Sequence, residues 1–126
     1  MGRRIRIIAG KTTLKAELYN TPTADAFWQL LPTEGFANRW GNEIYFNSHL
    51  DQPLETDARD VLEIGEIAYW PPGKAICFFF GPTPASDPDG KPRAASEVNP
   101  VGMIVRNAST LKTVADGVDV RIERAE

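Results

Sequence analysis

The stretch Ile64–Phe80, IGEIAYWPPGKAICFFF, decides how this chain is read. Two apolar runs, Ile64–Trp70 and Ala75–Phe80, flank a Pro71-Pro72-Gly73-Lys74 corner in which two prolines fix φ and a glycine permits reversal. The pattern predicts a hairpin of two neighbouring strands. In its second arm Phe78 and Phe80 point one way and Phe79 the other, since strand side chains alternate. One face must fill a core, and the other must look outward or toward a covering element.

Outward from this hairpin the chain reads as more short strands. Arg4–Ala9 and Thr12–Leu18 alternate apolar with polar residues around a tight Gly10-Lys11 turn, and Val118, Val120 and Ile122 alternate with Asp119, Arg121 and Glu123 near the end. Gly35–Phe46 breaks at Gly41-Asn42 and resumes as a strand over Glu43–Phe46, and Val101–Val105 is another strand. Two helices are expected. The first follows Thr21 as cap and Pro22 as first residue, ends before Pro32, and carries an apolar stripe of Phe27, Leu30 and Leu31. The second lies in NASTLKTVADG, capped by Asn107 or Ser109 and ended by Gly117. Asn47–Asp60 reads as a polar excursion anchored by Leu50 and Leu54, and Pro82–Glu97 as a long surface loop suited to rim a pocket. Seven or eight short strands with two helices argue for an antiparallel barrel or sandwich.

Composition removes several function classes. With 126 residues, 42% hydrophobic and 25% charged, the chain predicts one globular domain over residues 1–126. A net charge of −3 gives no field to hold a polyanion, so nucleic acid is not an expected partner. No run reaches a membrane span, and the single cysteine, Cys77, has no partner for an internal disulfide. The expected setting is the cytoplasm, with Cys77 a buried inert thiol. No phosphate-cradling glycine motif occurs and no histidine–cysteine set has metal spacing, so neither cofactor nor metal is expected; the sole histidine, His49, reads as a solvated loop residue.

Pro22-Thr23-Ala24-Asp25-Ala26-Phe27 resembles the Pro-Lys-Thr-Ala-Glu-Asn-Phe helix start of the cyclophilins, and the strand, helix, strand order from Val101 follows theirs. Closer is a small prokaryotic cyclophilin-like family of unknown function. That likeness is carried by Trp40-Gly41-Asn42-Glu43-Ile44-Tyr45-Phe46, by Gly65–Ala75, by Cys77-Phe78-Phe79-Phe80-Gly81-Pro82-Thr83-Pro84 and by Ala95-Ser96-Glu97-Val98-Asn99. The resemblance implies a mainly β fold: a closed eight-stranded antiparallel barrel with a short helix over each end. It also implies a site on the outer barrel face, where an isomerase would set an arginine beside an apolar proline pocket. The isomerase Phe-His-Arg run has no counterpart here, the nearest segment being Glu43-Ile44-Tyr45-Phe46, and Ile76-Cys77 stands where a glutamine would precede Phe78. Barrels of similar fold also occur as subunits of allophanate hydrolase and 5-oxoprolinase systems.

The aromatic residues exceed what alternation needs. Trp40, Tyr45, Trp70 and one of Phe78 or Phe80 are the candidate wall of an apolar pocket for a small molecule or a proline-containing peptide; plain core is the alternative for each. Glu43, inside an apolar strand end, is the candidate carboxylate, either for a ligand or for pairing with Arg39. Arg39 is the candidate catalytic residue, as a bidentate donor to a carbonyl, against a surface pair with Glu34 or Glu43. Lys74 projects from the corner as an anion contact or a solvated lysine. Ser96 and Asn99 either bond a peptide backbone or close their own loop. Three functions follow: a binding barrel, a prolyl isomerase with a rearranged site, and a non-catalytic subunit or regulator of an amide-hydrolysing complex with a protein partner.

Overall fold

The computed structural model describes residues 3–125. Strands β1 (Arg4–Ala9) and β2 (Thr12–Leu18) form the first hairpin, in register Ile5↔Ala16 and Ile7↔Leu14, with all four side chains buried. Gly10 takes a φ of +60° in the turn, and a Cβ there would meet Val118 at 2.9 Å. Helix α1 (Pro22–Leu30) follows the expected chemistry. The Thr21 hydroxyl accepts from the Ala24 amide at 3.1 Å, Pro22 occupies the first turn, and Phe27 is fully buried.

Next come β3 (Thr33–Phe36), β4 (Asn38–Arg39), β5 (Glu43–Asn47), β6 (Arg59–Val61), β7 (Glu66–Trp70), β8 (Ala75–Phe79), β9 (Arg93–Ile104) and β10 (Asp119–Arg124). All pairings are antiparallel, in the order β3-β10-β1-β2-β9-β7-β8-β5-β4, with β6 added on β9. The sheet has ten strands and is not closed, so the closed eight-stranded barrel is corrected on both counts. The reason lies at Ala37, the one residue between β3 and β4. Its amide and carbonyl are taken by Val118 and Gly117, so the chain passes from a β10 partner to a β5 partner without β3 and β4 pairing to each other.

Two further expectations change. The second helix is a 3-10 turn over Ala108–Thr113, where Asn107 holds a φ of 65° and its side chain makes no cap bond. The loop ends at Pro92 rather than Glu97, because Arg93–Ile104 is one strand of 12 residues. Pro100 sits at an irregularity where β7 shifts register between Ile67 and Ala68, a position that tolerates a missing amide proton.

The sheet buries residues on both faces. Ile76, Phe78 and Phe80 join Ile5, Ile7, Phe27 and Phe46 in the main core, and the Phe46 and Phe78 rings lie 6.3 Å apart. Cys77 and Phe79 face the opposite way, into a smaller cluster with Leu62, Ala68, Ala94 and Val98. The polar excursion lies at the surface and is tied to the fold at two places. Tyr69 donates to the Leu50 carbonyl at 2.6 Å, Leu50 is buried, and Leu54 is exposed and anchors nothing. Asn99, fully buried, accepts from the Glu55 amide at 2.9 Å and donates to Thr23 at 3.0 Å and to the Pro53 carbonyl at 2.9 Å. Replacing it by alanine removes one buried and two part-buried hydrogen bonds, and we expect Asn99→Ala to cost about 2–3 kcal/mol. Urea unfolding measures this, and an unchanged midpoint would show that the staple contributes nothing.

Candidate functional site

The outward face of β5 and β8 is where the site is built. Antiparallel register sets Tyr45 opposite Cys77 and Glu43 opposite Phe79, so all four side chains share that face. Trp70 arrives from the end of β7, and Ala94, Ala95 and Val98 from the first half of β9. With Trp40 from the β4–β5 turn, Glu43, Tyr45, Trp70, Cys77 and these three small residues line a cavity of about 230 Å³. Bulky rings form its walls, and short side chains leave its space.

Local chemistry fixes each wall. Trp40 and Glu43 close the β4–β5 turn on each other, the Trp40 amide donating to the Glu43 carbonyl at 2.9 Å. Gly41 holds a φ of +62° there, and a Cβ on it would strike Pro84 at 2.8 Å. Trp70 is set by its indole N–H, which donates to Ser96 Oγ at 2.7 Å, and by Gly73, where a Cβ would lie 2.9 Å from the ring. The glycine of the corner therefore makes room for Trp70. The reversal is made by a 3-10 turn over Pro71–Gly73 and by Lys74, which carries the left-handed φ of 49°.

Glu43 is the electrostatic feature of the cavity. It is 6% exposed, and its Oε1 is buried without a hydrogen-bond partner, alone in this among the described residues. Burial pushes its carboxyl up to about 7, with the Cys77 thiol acting weakly the other way. Burial and the neighbouring carboxyl in turn push the Cys77 thiol well up, so it is neutral and unreactive near neutrality. The second buried carboxylate, Glu66, is the contrast. It receives both arms of Arg59 at 2.8 and 2.7 Å, the Tyr19 hydroxyl at 2.8 Å and the Glu63 amide at 2.8 Å. Burial raises its pKa, but these four donors outweigh it and hold the carboxyl below the usual range.

The other sequence candidates are placed elsewhere. Arg39, offered as a catalytic donor, gives its guanidinium to the carbonyls of Gly41 at 3.1 Å, Lys112 at 3.2 Å and Val114 at 2.8 Å, over the Phe80 ring. It braces the β4–β5 turn and does not line the cavity. Phe78 and Phe80, offered as pocket wall, are on the core face of β8. Asn99 is the staple described above, and Lys74 is exposed with its Nζ 3.9 Å from Asp51. Ser96 orients Trp70. His49 is exposed, and no cluster of metal-ligating side chains occurs among the described residues. Cys77, Ala94, Ala95 and Val98 were not singled out as site residues. Alternation already put Cys77 on the face opposite Phe78, but nothing local showed that the loop would end early enough to bring Ala94 and Ala95 beside it.

A family model described as cyclophilin-like matches residues 3–123. The chain belongs to the cyclophilin-like family. Among solved structures it is similar to the hypothetical protein AF2241 from Archaeoglobus fulgidus, with 46% identity over 98% of this chain and 95% of that one and a TM-score of 0.82. It is also similar to a cyclophilin-type peptidyl-prolyl cis-trans isomerase of Cryptosporidium parvum, at 14% identity over the whole of both chains and a TM-score of 0.58, a likeness of fold alone. No curated protein matches. Among the described residues, no helix is long and apolar enough to cross a membrane.

The Glu43 carboxyl gives a signed prediction. Because its folded pKa of about 7 lies above the ordinary 4.5, the folded chain keeps a proton that the unfolded chain releases in that window. Stability from this group therefore falls as pH rises from 4.5 to 7 and levels off above, by up to about 3 kcal/mol at 1.36 kcal/mol per unit. Urea midpoints across that range should show the fall in the parent chain and its loss in Glu43→Gln. Parallel curves would place the carboxyl in an ordinary solvated state.

Proposed function

We propose that this chain is a binding protein that takes a small molecule, or the ring of a proline-containing segment, into the aromatic pocket of Trp40, Tyr45 and Trp70. The observation that carries the reading is that Glu43, whose Oε1 is buried without a hydrogen-bond partner, is the one carboxyl lining an otherwise apolar cavity. An unsatisfied buried acid is costly to a fold and gains its missing partner when a ligand supplies one. At about 230 Å³ the cavity lies below the roughly 300–1,000 Å³ of pockets that enclose drug-sized ligands, so it suits a single ring or head group. Ser96 and Gly73 hold Trp70 in position beforehand, which lowers the ordering cost of binding.

A second reading, prolyl isomerisation, is favoured by the fold likeness to a cyclophilin-type isomerase. It requires a polarising group other than Arg39, whose donors are already engaged. NMR exchange spectroscopy on an Ala-Pro peptide, with the labelled protein followed in parallel, separates the two. For the binding reading we expect peptide shifts and movement of the Trp40 and Trp70 indole signals without faster exchange. Exchange accelerated by catalytic amounts of protein, and lost in Glu43→Gln, establishes the isomerase instead. No shift in either molecule rejects the prolyl ligand.

A further inference from the structure

The pocket's charge and surface limit what its occupant can be, granted the reading that it binds a ligand. No arginine or lysine lines it, so nothing there balances an anion. Its one carboxyl would repel a carboxylate or phosphate. Three aromatic side chains surround the remaining space, and the ring nitrogen of Trp70 is already bonded to Ser96. The Trp70 ring therefore contributes its π face and apolar edges rather than a hydrogen bond. Aromatic rings attract a cation through their quadrupole, most strongly where water is excluded, and a buried carboxylate supplies the full opposing charge.

We infer that the pocket binds an organic cation, an alkylated ammonium head group seated among Trp40, Tyr45 and Trp70 with its charge against the Glu43 carboxylate. The small residues agree with this occupant. Ala94, Ala95, Val98 and Cys77 leave room for methyl groups around a nitrogen and offer no side-chain charge to compete for it. The site selects charge and bulk together. A bare ammonium would lose more hydration than the rings return, whereas an alkylated one is weakly hydrated and buries apolar surface as well.

The carboxyl also makes the site pH-dependent. Around Glu43, Cys77 on β8 and Tyr45 on its own strand are the titratable side chains of the lining; Trp40 and the residues from β7 and β9 bring none. Since burial keeps Cys77 neutral, Glu43 alone sets the charge at neutral pH. A bound cation stabilises the carboxylate, so binding releases a proton below the carboxyl's own pKa and strengthens as pH rises.

Choline and its neutral carbon isostere, 3,3-dimethylbutan-1-ol, test this, because they share a shape and differ in charge. Each is titrated into the full chain and followed by the indole signals of Trp40 and Trp70. We expect choline to bind about tenfold or more tightly than the alcohol near pH 8.5, and the preference to shrink near pH 5.5. In Glu43→Gln the preference should be lost at both pH values. The pH comparison on the unaltered chain stands even if that variant folds poorly. Equal binding of the two probes overturns the cation while leaving an apolar pocket, and a choline preference that survives Glu43→Gln overturns the pairing of the charge with that carboxylate. Silence of both probes where the Ala-Pro peptide shifts the same indoles also overturns it and keeps the pocket. Silence of the probes and the peptide rejects the pocket reading too.

Discussion

Everything in this fold depends on β8 having two buried faces. Six consecutive residues, Ala75–Phe80, are shielded from water, and the strand manages this only by lying between β7 and β5 while cores form on both sides. On one side the large rings of Phe78 and Phe80 meet Phe46 and Phe27, and that density supplies most of the hydrophobic stabilisation. On the other side Ala75 and Cys77 are too small to fill the space that β9 and the Trp70 ring enclose. The cavity follows from this imbalance in size. Phe79, on the same face, packs with Leu62, Ala68, Ala94 and Val98, so the cavity opens only where the small residues stand.

The two buried acids show what the fold satisfies and what it leaves open. Glu66 lies in a complete network, where Arg59, Tyr19 and the Glu63 amide between them fill its lone pairs. It joins β7 to β6 and to the residue after β2, and it reads as structural in full. Glu43 has comparable burial and no donor on its inner oxygen. Burial alone predicts that such a group shifts toward neutrality, and it does. A methionine or leucine at 43 would fill similar space without burying an unsatisfied polar group. The carboxyl is thus a feature that stability does not explain.

Much of the architecture was legible in local pattern, and the losses have physical causes. Alternation placed β1, β2 and β10, apolar runs beside turn residues placed β5, β7 and β8, and Thr21 with Pro22 placed α1, because these signals lie within a few residues of the element they define. What failed depended on distant partners. Arg93–Ala95 reads as loop on composition and becomes strand because β6 supplies a ladder for it. Closure of the barrel failed at Ala37, through hydrogen bonds to residues 80 positions away along the chain. In the site, Trp40, Glu43, Tyr45 and Trp70 are brought together around one cavity. Arg39 is a candidate on sequence because it adjoins Trp40, and Asn99 because it ends the long loop, each with a structural alternative. Both are spent on backbone groups of remote segments, which no local pattern reveals.

The position of Arg39 bears on how a site can drift within this fold. Its guanidinium ties the β4–β5 turn to the carbonyls of Lys112 and Val114, just past the Ala108–Thr113 turn. The β4–β5 turn presents Trp40 and starts the strand that carries Glu43 and Tyr45. An arginine so placed supports the pocket from behind while contributing no charge within it, and the Phe80 ring under it holds the guanidinium 5.1 Å from the ring centre. The cavity's electrostatic sign is therefore set by its one acid. A site built on a polarising arginine stabilises developing negative charge; one built on a desolvated carboxyl with aromatic walls stabilises positive charge. The outward face of β5 and β8 here carries one carboxyl among aromatic walls and no arginine or lysine in its cavity lining.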